Sequence, residues 1–292
     1  MTTRLVHARG DLRPALGDAS GEVGVVMTMG ALHDGHRELI RVARGRCETI
    51  VVTVFLNPLQ FAPGEDLSRY PMTLDSDVAL CTAEDVDVVF APSAAEVYPL
   101  GVQPQVRVKA GPLGDVLEGA SRPGHFDGVL TVVAKLLHLT APDVAYFGQK
   151  DAQQLLLIRR MTQDLDFAVE VVAVPTVRDA DGLALSSRNG YLTAADRSAA
   201  LTLSRSLAAG SGAAEEGPEA VRRVACDVLD AHPDVGLDYL ALVDPATLAG
   251  VPDDFSGDAL LAVAAKVGST RLIDNTVVTF PGKPDHRRQV VR

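Results

Sequence analysis

Two histidines, His33 and His36, stand three residues apart in the string Met27-Thr28-Met29-Gly30-Ala31-Leu32-His33-Asp34-Gly35-His36. Imidazoles at that spacing can serve phosphate, hold a metal, cap a helix or simply pack. Val23 to Thr28 reads as a short buried strand, and Leu39, Ile40, Val42 and Ala43 recur at helical spacing, so both histidines fall around a helix N-terminus. Unpaired backbone N–H groups there attract anions. Gly30, Ala31 and Gly35 are small enough to let a ligand approach the backbone. A lone HxxH is more often a turn with packed or solvated rings, and zinc lacks a third ligand at metal spacing.

Three further clusters could add chemistry. Asn57-Pro58-Leu59-Gln60-Phe61 follows an apolar run at 49–55, and its amides can hold an oxygen-rich substrate without adding charge. Read alone, Asn-Pro is a turn and Phe61 is packing. Gly148-Gln149-Lys150-Asp151 precedes a helical pattern carrying Gln153 and Gln154; the lysine can neutralise phosphate, and the aspartate can accept from a ribose hydroxyl or cap the helix. Leu185-Ser186-Ser187-Arg188-Asn189 offers two hydroxyls and a guanidinium suited to a polyphosphate, in a loop able to close over a nucleotide.

The elements that must position these residues are legible in the alternation of patterns. Strands are expected at 23–28, 49–55, 87–91, 143–148 and 168–174, and helices at 37–46, 74–84, 128–139 and 152–165. Near-continuous apolar strands separated by helices indicate a parallel sheet covered on both faces, hence a doubly wound, Rossmann-like α/β domain. Three of the four clusters then lie just beyond a strand's carboxyl end, where open α/β sheets bind ligands. Beyond a polar loop at 178–189, helices near 194–207 and 219–230 and strands at 239–243, 259–267 and 270–273 suggest a small α+β domain. Between those two helices, 209–218 reads as a flexible loop, and the tail 281–292 as poorly ordered.

The length of 292 residues suits two domains, expected at 1–176 and 177–292, the second serving as a lid. A net charge of −11 argues against a nucleic-acid surface, and no apolar run approaches a membrane span. Met1 to Leu16 has no apolar signal-peptide core, so a cytoplasmic location is expected. Cys47, Cys81 and Cys226 are widely separated and read as buried free thiols.

Taken together, these strings resemble the pantoate–β-alanine ligase (pantothenate synthetase) family of the HIGH-motif nucleotidyltransferase superfamily. The likeness rests on Thr28-Met-Gly-Ala-Leu-His-Asp-Gly-His36, Asn57-Pro-Leu-Gln-Phe61, Tyr70-Pro71 and Arg122-Pro-Gly-His-Phe126 with its Val-rich sequel. It extends through Ala145-Tyr-Phe-Gly-Gln-Lys-Asp-Ala-Gln-Gln154 and Pro175-Thr-Val-Arg-Asp-Ala-Asp-Gly-Leu-Ala-Leu-Ser-Ser-Arg188, and is loose in the C-terminal third. The resemblance implies that ATP and pantoate give pantoyl adenylate and pyrophosphate, after which β-alanine displaces AMP. It implies that His33, His36, Lys150, Ser186, Ser187 and Arg188 are catalytic, with His36 as proton donor and Mg²⁺ bridging the phosphates.

By the same resemblance, ATP meets Met29, Gly30, Ala31, Leu32, His33, Asp34, Gly35 and His36, then Gly148, Gln149, Lys150 and Asp151, and finally Val177, Leu185, Ser186, Ser187 and Arg188. Pantoate and β-alanine meet Gln60, Gln154, Met29, Asn57 and Arg122. Val129, Val132 and Val133 are candidates for the wall that pantoate's dimethyl group needs, with core packing as their other reading. A homodimer through the N-terminal domain is also implied. Met27, Met72, Ser76 and Gln149 depart from the family pattern. The uncharged Gln60 and Gln154 fit a carboxylate-and-hydroxyl acid better than the phosphorylated acceptor of a related nucleotidyltransferase. Retention of His33, His36, Lys150 and Arg188 together argues against a regulatory module without catalysis.

Overall fold

The computed structural model describes residues 2–17, 21–62 and 64–281. The chain forms two compact units, Met1–Asp179 with Ala184–Ser187, and Ala180–Leu183 with Arg188–Arg292.

The first unit carries strands β1 (Arg4–Val6), β2 (Val23–Thr28), β3 (Thr49–Val54), β4 (Val88–Phe90), β5 (Val144–Gly148) and β6 (Glu170–Val174). Its helices are α1 (Arg9–Leu16), α2 (Asp34–Arg44), α3 (Leu74–Ala83), α4 (Ala94–Val97), α5 (Glu118–Ser121), α6 (His125–Thr140) and α7 (Ala152–Asp164). The strands pair in parallel in the order β1-β4-β3-β2-β5-β6. The five expected strands are all present, and the doubly wound α/β class is the one observed.

Strand period explains the two layers. Val25 and Val51 join Phe126, Val129 and Ile158 in one core cluster, while Val26 and Val52 join Leu39, Ile40 and Cys81 in another on the opposite face. Each fully buried valine or isoleucine contributes about 2 kcal/mol of transfer free energy. Because β2 lies between β3 and β5, successive crossovers leave in opposite directions from the β2/β5 gap. That gap is the topological switch point, and its carboxyl end is the crevice the fold leaves open.

Sequence pattern did not reveal β1 and α1. The strand has three residues at the sheet edge, and α1 contains Pro14. The proline removes the hydrogen bond to the Gly10 carbonyl, but Gly10 is exposed and water can replace it.

The second unit contains α8 (Ala194–Gly212), α9 (Pro218–Asp230) and an antiparallel meander of β7 (Val235–Val243), β8 (Gly257–Val267) and β9 (Thr270–Phe280). This is the expected small α+β fold, with β9 much longer than 270–273. The stretch 209–218 is not a loose loop. It comprises the last turn of α8, a 3-10 turn at Ala214–Glu216 and the start of α9. Its glycines misled because Gly210 is a packing residue: a Cβ there would stand 2.9 Å from Ala225 Cβ and Leu261 Cδ2. Cys47 and Cys81 are buried as expected, whereas Cys226 is half-exposed on α9. Among the described residues no helix is long and apolar enough to cross a membrane. Of the expected disordered tail, 282–292 lies outside the described residues.

Candidate active site

The chain leaves β2 at Thr28 and turns sharply. Gly30 and Ala31 both take the left-handed conformation, with φ of 88° and 52°, which costs an alanine about 1 kcal/mol or more. Asp77, on α3 and 2 % exposed, holds the turn: its carboxylate accepts the Ala31 N–H at 3.1 Å and the Leu32 N–H at 2.8 Å. Thr73 Oγ1 donates to the same carboxylate at 3.2 Å. Sequence reading missed Asp77, since its partners lie 46 and 45 residues away.

The turn delivers His33 to the N-cap of α2, which starts at Asp34, earlier than the pattern suggested. His33 Nδ1 accepts the Gly35 N–H at 3.1 Å, and His36 Nδ1 accepts the His33 N–H at 3.3 Å. The rings touch, with centroids 4.1 Å apart. A backbone N–H can only donate, so each Nδ1 is a lone-pair acceptor and each neutral ring carries its proton on Nε2. Gly35 leaves room for this cap, because a Cβ would stand 2.9 Å from the His33 ring. Its smallness therefore serves the histidine as well as any ligand.

Both rings are held neutral. Burial, then the Lys150 charge, lower His33 from its ordinary 6.5 to about 4 against the smaller opposing pull of Asp34, Asp151 and Asp179. Burial, then His33 and Lys150, lower His36 to about 3. The Lys150 charge thus acts on both rings, so the β2 and β5 clusters meet at the switch point. In the unfolded chain these imidazoles return to their ordinary 6.5, so between pH 6.5 and 4 the unfolded state binds more protons than the native one. Stability they supply is present above pH 6.5 and lost as pH falls through this window. The urea midpoint should fall between pH 6.5 and 5; a flat midpoint would mean rings already charged in the native protein.

At the end of β5, Gln149–Asp151 forms a 3-10 turn leading into α7. Lys150 is 19 % exposed, with Nζ 3.8 Å from Asp151 Oδ1. On α7, Gln153 is 5 % exposed and spends its amide on the Leu113 and Val116 carbonyls and the Glu118 N–H, while Gln154 is half-buried. A hairpin bridge between Arg178 and Ala184, with Leu185 N–H donating to the Val177 carbonyl, turns the chain back. Leu185 then packs beside Gly35, and Ser187 Oγ lies 3.0 Å from the Tyr70 hydroxyl. Ser186 and Ser187 belong to this first unit, whereas Arg188 opens the long segment of the second.

After β3, Gln60 Nε2 reaches Met29 Sδ at 2.8 Å and Gln60 Oε1 accepts from Asn57 Nδ2 at 3.2 Å. Asn57 itself is 1 % exposed; Oδ1 accepts from Leu59 N–H and Tyr98 OH, and Nδ2 also donates to the Gly128 carbonyl. Through Nδ2 it steadies the Gln60 side chain. Val129, Val132 and Val133 are 3–5 % exposed and lie in the core cluster, so packing is their main occupation. A cavity of about 650 Å³ lies beside Met29 and Gly30, lined also by His7, Phe55, Met72 and Asp77 but by none of His33, His36 and Lys150. No three His, Cys, Asp or Glu side chains converge on a metal position among the described residues.

Comparison with known proteins bears on this arrangement. Residues 4–277 match the family model for pantoate-beta-alanine ligase. A pantothenate synthetase of Streptomyces avermitilis is 53 % identical, over 96 % of this chain and 99 % of its own length. Pantothenate synthetase 4 of Frankia alni is 58 % identical over 88 % and 83 % respectively. Among solved structures, pantothenate synthetase from Thermus thermophilus superposes with a TM-score of 0.89 at 49 % identity, covering 94 % of this chain and 98 % of that one. The pantoate-beta-alanine ligase of Francisella tularensis, complexed with beta-gamma ATP and β-alanine, gives 0.78 at 32 %, covering 94 % and 97 %. With a family-model match over residues 4–277 and 53 % identity over 96 % of the chain, this protein belongs to the pantoate–β-alanine ligase family.

Proposed function

We propose that this protein condenses pantoate with β-alanine at the expense of ATP, through pantoyl adenylate, giving pantothenate, AMP and pyrophosphate. The observation that carries the reading is the convergence of His33, His36 and Lys150 at the carboxyl ends of β2 and β5, in a chain of this family. In the first step a pantoate carboxylate oxygen bonds to the α-phosphorus as the bond to the pyrophosphate oxygen breaks. The carboxylate is already ionised at neutral pH, so the step needs alignment and charge neutralisation rather than a general base. In the second, the neutral amine of β-alanine attacks the acyl carbon, loses a proton and expels AMP.

Lys150 supplies positive charge to the phosphates, and His33 and His36 supply Nε2–H donors. His36, which the resemblance casts as proton donor, turns its Nε2–H toward the departing pyrophosphate and donates a hydrogen bond to it while the ring stays neutral. Ser186, Ser187 and, from the resemblance, Arg188 hold the same oxygens. Met29 to Gly35 line the approach; Gly148, Gln149, Asp151, Val177 and Leu185 take the nucleoside, and Gln60 with Gln154 hold pantoate. Mg²⁺ bound with the nucleotide would add charge neutralisation at the phosphates that Lys150 serves. The family resemblance further supports a homodimer through the first unit.

Exchange of labelled pyrophosphate into ATP tests the reading. It is expected only when pantoate is present, with AMP released once β-alanine is added. Exchange without pantoate, or none under any condition, would overturn it.

A further inference from the structure

Gln60 is held from behind by His125 and Arg122. Its backbone carbonyl accepts from His125 Nδ1 at 2.8 Å and from Arg122 Nη2 at 3.2 Å. Arg122 is clamped in turn by Glu65, with Nε to Oε1 at 2.8 Å and Nη2 to Oε2 at 2.6 Å, and its Nη1 lies 3.1 Å from His125 Nε2. A carbonyl can only accept and a guanidinium can only donate, so His125 must carry its proton on Nδ1 and accept at Nε2. This is the opposite tautomer to that of His33 and His36. All four residues belong to the first unit, and Arg122 and Glu65 are only 17 % and 22 % exposed.

We propose that Glu65, Arg122 and His125 form a positioning assembly that aims the Gln60 amide at the acid substrate, and that Arg122 acts through Gln60 rather than on a substrate carboxylate. The proposal rests on the reading of Gln60 as a pantoate contact. Arg122 already uses Nε, Nη1 and Nη2 inside the assembly, with the Glu65 fork matched to a bidentate guanidinium. The Gln60 side chain is steadied independently by Asn57, and α6 packs against its turn so closely that a Cβ on Gly128 would stand 2.2 Å from the Leu59 carbonyl oxygen. What stays adaptable is the Nε2 contact to Met29 Sδ, because thioether sulfur is a weak acceptor that a substrate oxygen can replace.

The electrostatics agree with the geometry. Burial, then the Arg122 charge, lower His125 to about 4, while the Gln60 carbonyl, Glu65 and Glu118 oppose this to a smaller degree. Burial pushes the Glu65 carboxyl up, yet hydrogen bonding to Arg122 and its charge prevail and leave it below the usual carboxylate range. The assembly therefore keeps a single charge pattern across neutral pH, with the anion on Glu65, the cation on Arg122 and a neutral ring on Gln60.

Steady-state kinetics on the full chain test the assignment. His125→Leu is expected to raise KM for pantoate at least tenfold with KM for ATP within twofold. His125→Asn, whose amide can donate to the same carbonyl, should recover most of that loss. Glu65→Gln, which keeps the shape but loosens the clamp, should give a smaller rise of the same selectivity. Nitrogen-15 NMR of the unaltered protein, without substrate, should show His125 as the Nδ1–H tautomer. An unchanged pantoate KM in His125→Leu, an equal rise in both KM values, or an Nε2–H tautomer would overturn the proposal. Absence of pantoate-dependent turnover in the unaltered enzyme would instead remove the ligase reading, and with it this role for Gln60.

Discussion

Lys150→Ala is expected to lower kcat/KM for ATP about a thousandfold, or about 4 kcal/mol of transition-state stabilisation, while the protein stays folded. The side chain lies outside both hydrophobic clusters of the first unit, so its removal leaves no cavity in either core. Its charge, however, is the cation acting on both site histidines. On the proposed adenylation, this crevice accepts a triphosphate and then stabilises the extra charge gathering on departing pyrophosphate. A lysine there acts most strongly in the transition state, so kcat should suffer as well as KM. Lys150→Arg should not restore turnover, since a planar fork cannot stand in for a compact ammonium. A second readout separates electrostatics from misfolding: with the lysine gone, the NMR protonation midpoints of His33 and His36 should both rise. A variant with near-normal turnover, or with unmoved midpoints, would remove Lys150 from the phosphate end.

Much of this site was legible because its parts are local. The strand at Val23–Thr28 has the bounds its apolar run suggests, and α7 starts at Ala152 directly after the Gly148–Asp151 cluster. Clusters following strand ends fall at one sheet edge whenever the strands are parallel, so the convergence of His33, His36 and Lys150 follows from pattern and topology. What pattern could not supply were contacts across sequence. Asn57 read as a substrate amide, but its donors and acceptors meet Tyr98 and Gly128, 41 and 71 residues away. Arg122, a substrate contact by resemblance, is also paired with Glu65, 57 residues away. The valines of α6 have the composition of a ligand wall and the burial of a core, and composition alone does not separate the two. The His33 and His36 caps lay within three residues, yet required knowing which ring nitrogen faces the backbone.

Asp77→Ala should damage stability and chemistry together, the largest such effect expected from a residue outside the crevice. The substitution leaves the half-buried Ala31 and Leu32 N–H groups without their carboxylate acceptor. Each unsatisfied buried donor costs about 1–3 kcal/mol, giving a loss of about 3 kcal/mol and a fall in Tm of about 6–12 °C for a unit of this size. The turn also stores strain, since Ala31 sits at positive φ and keeps that geometry only while its surroundings enforce it. Released, the turn no longer sets where His33 enters α2, and a displacement of about 1 Å can cost a hundredfold in rate. Turnover assayed well below the lowered Tm should therefore fall about a hundredfold. Asp77→Asn keeps one oxygen acceptor but turns an amide N–H toward the other donor, so it should lie between alanine and the native residue in both measures. Measured Tm and turnover that fall together along the series Asp, Asn, Ala would establish the turn as the support of the histidine pair. A stability loss with turnover intact would reduce Asp77 to a packing residue, because the histidines would then hold their place through the α2 cap alone.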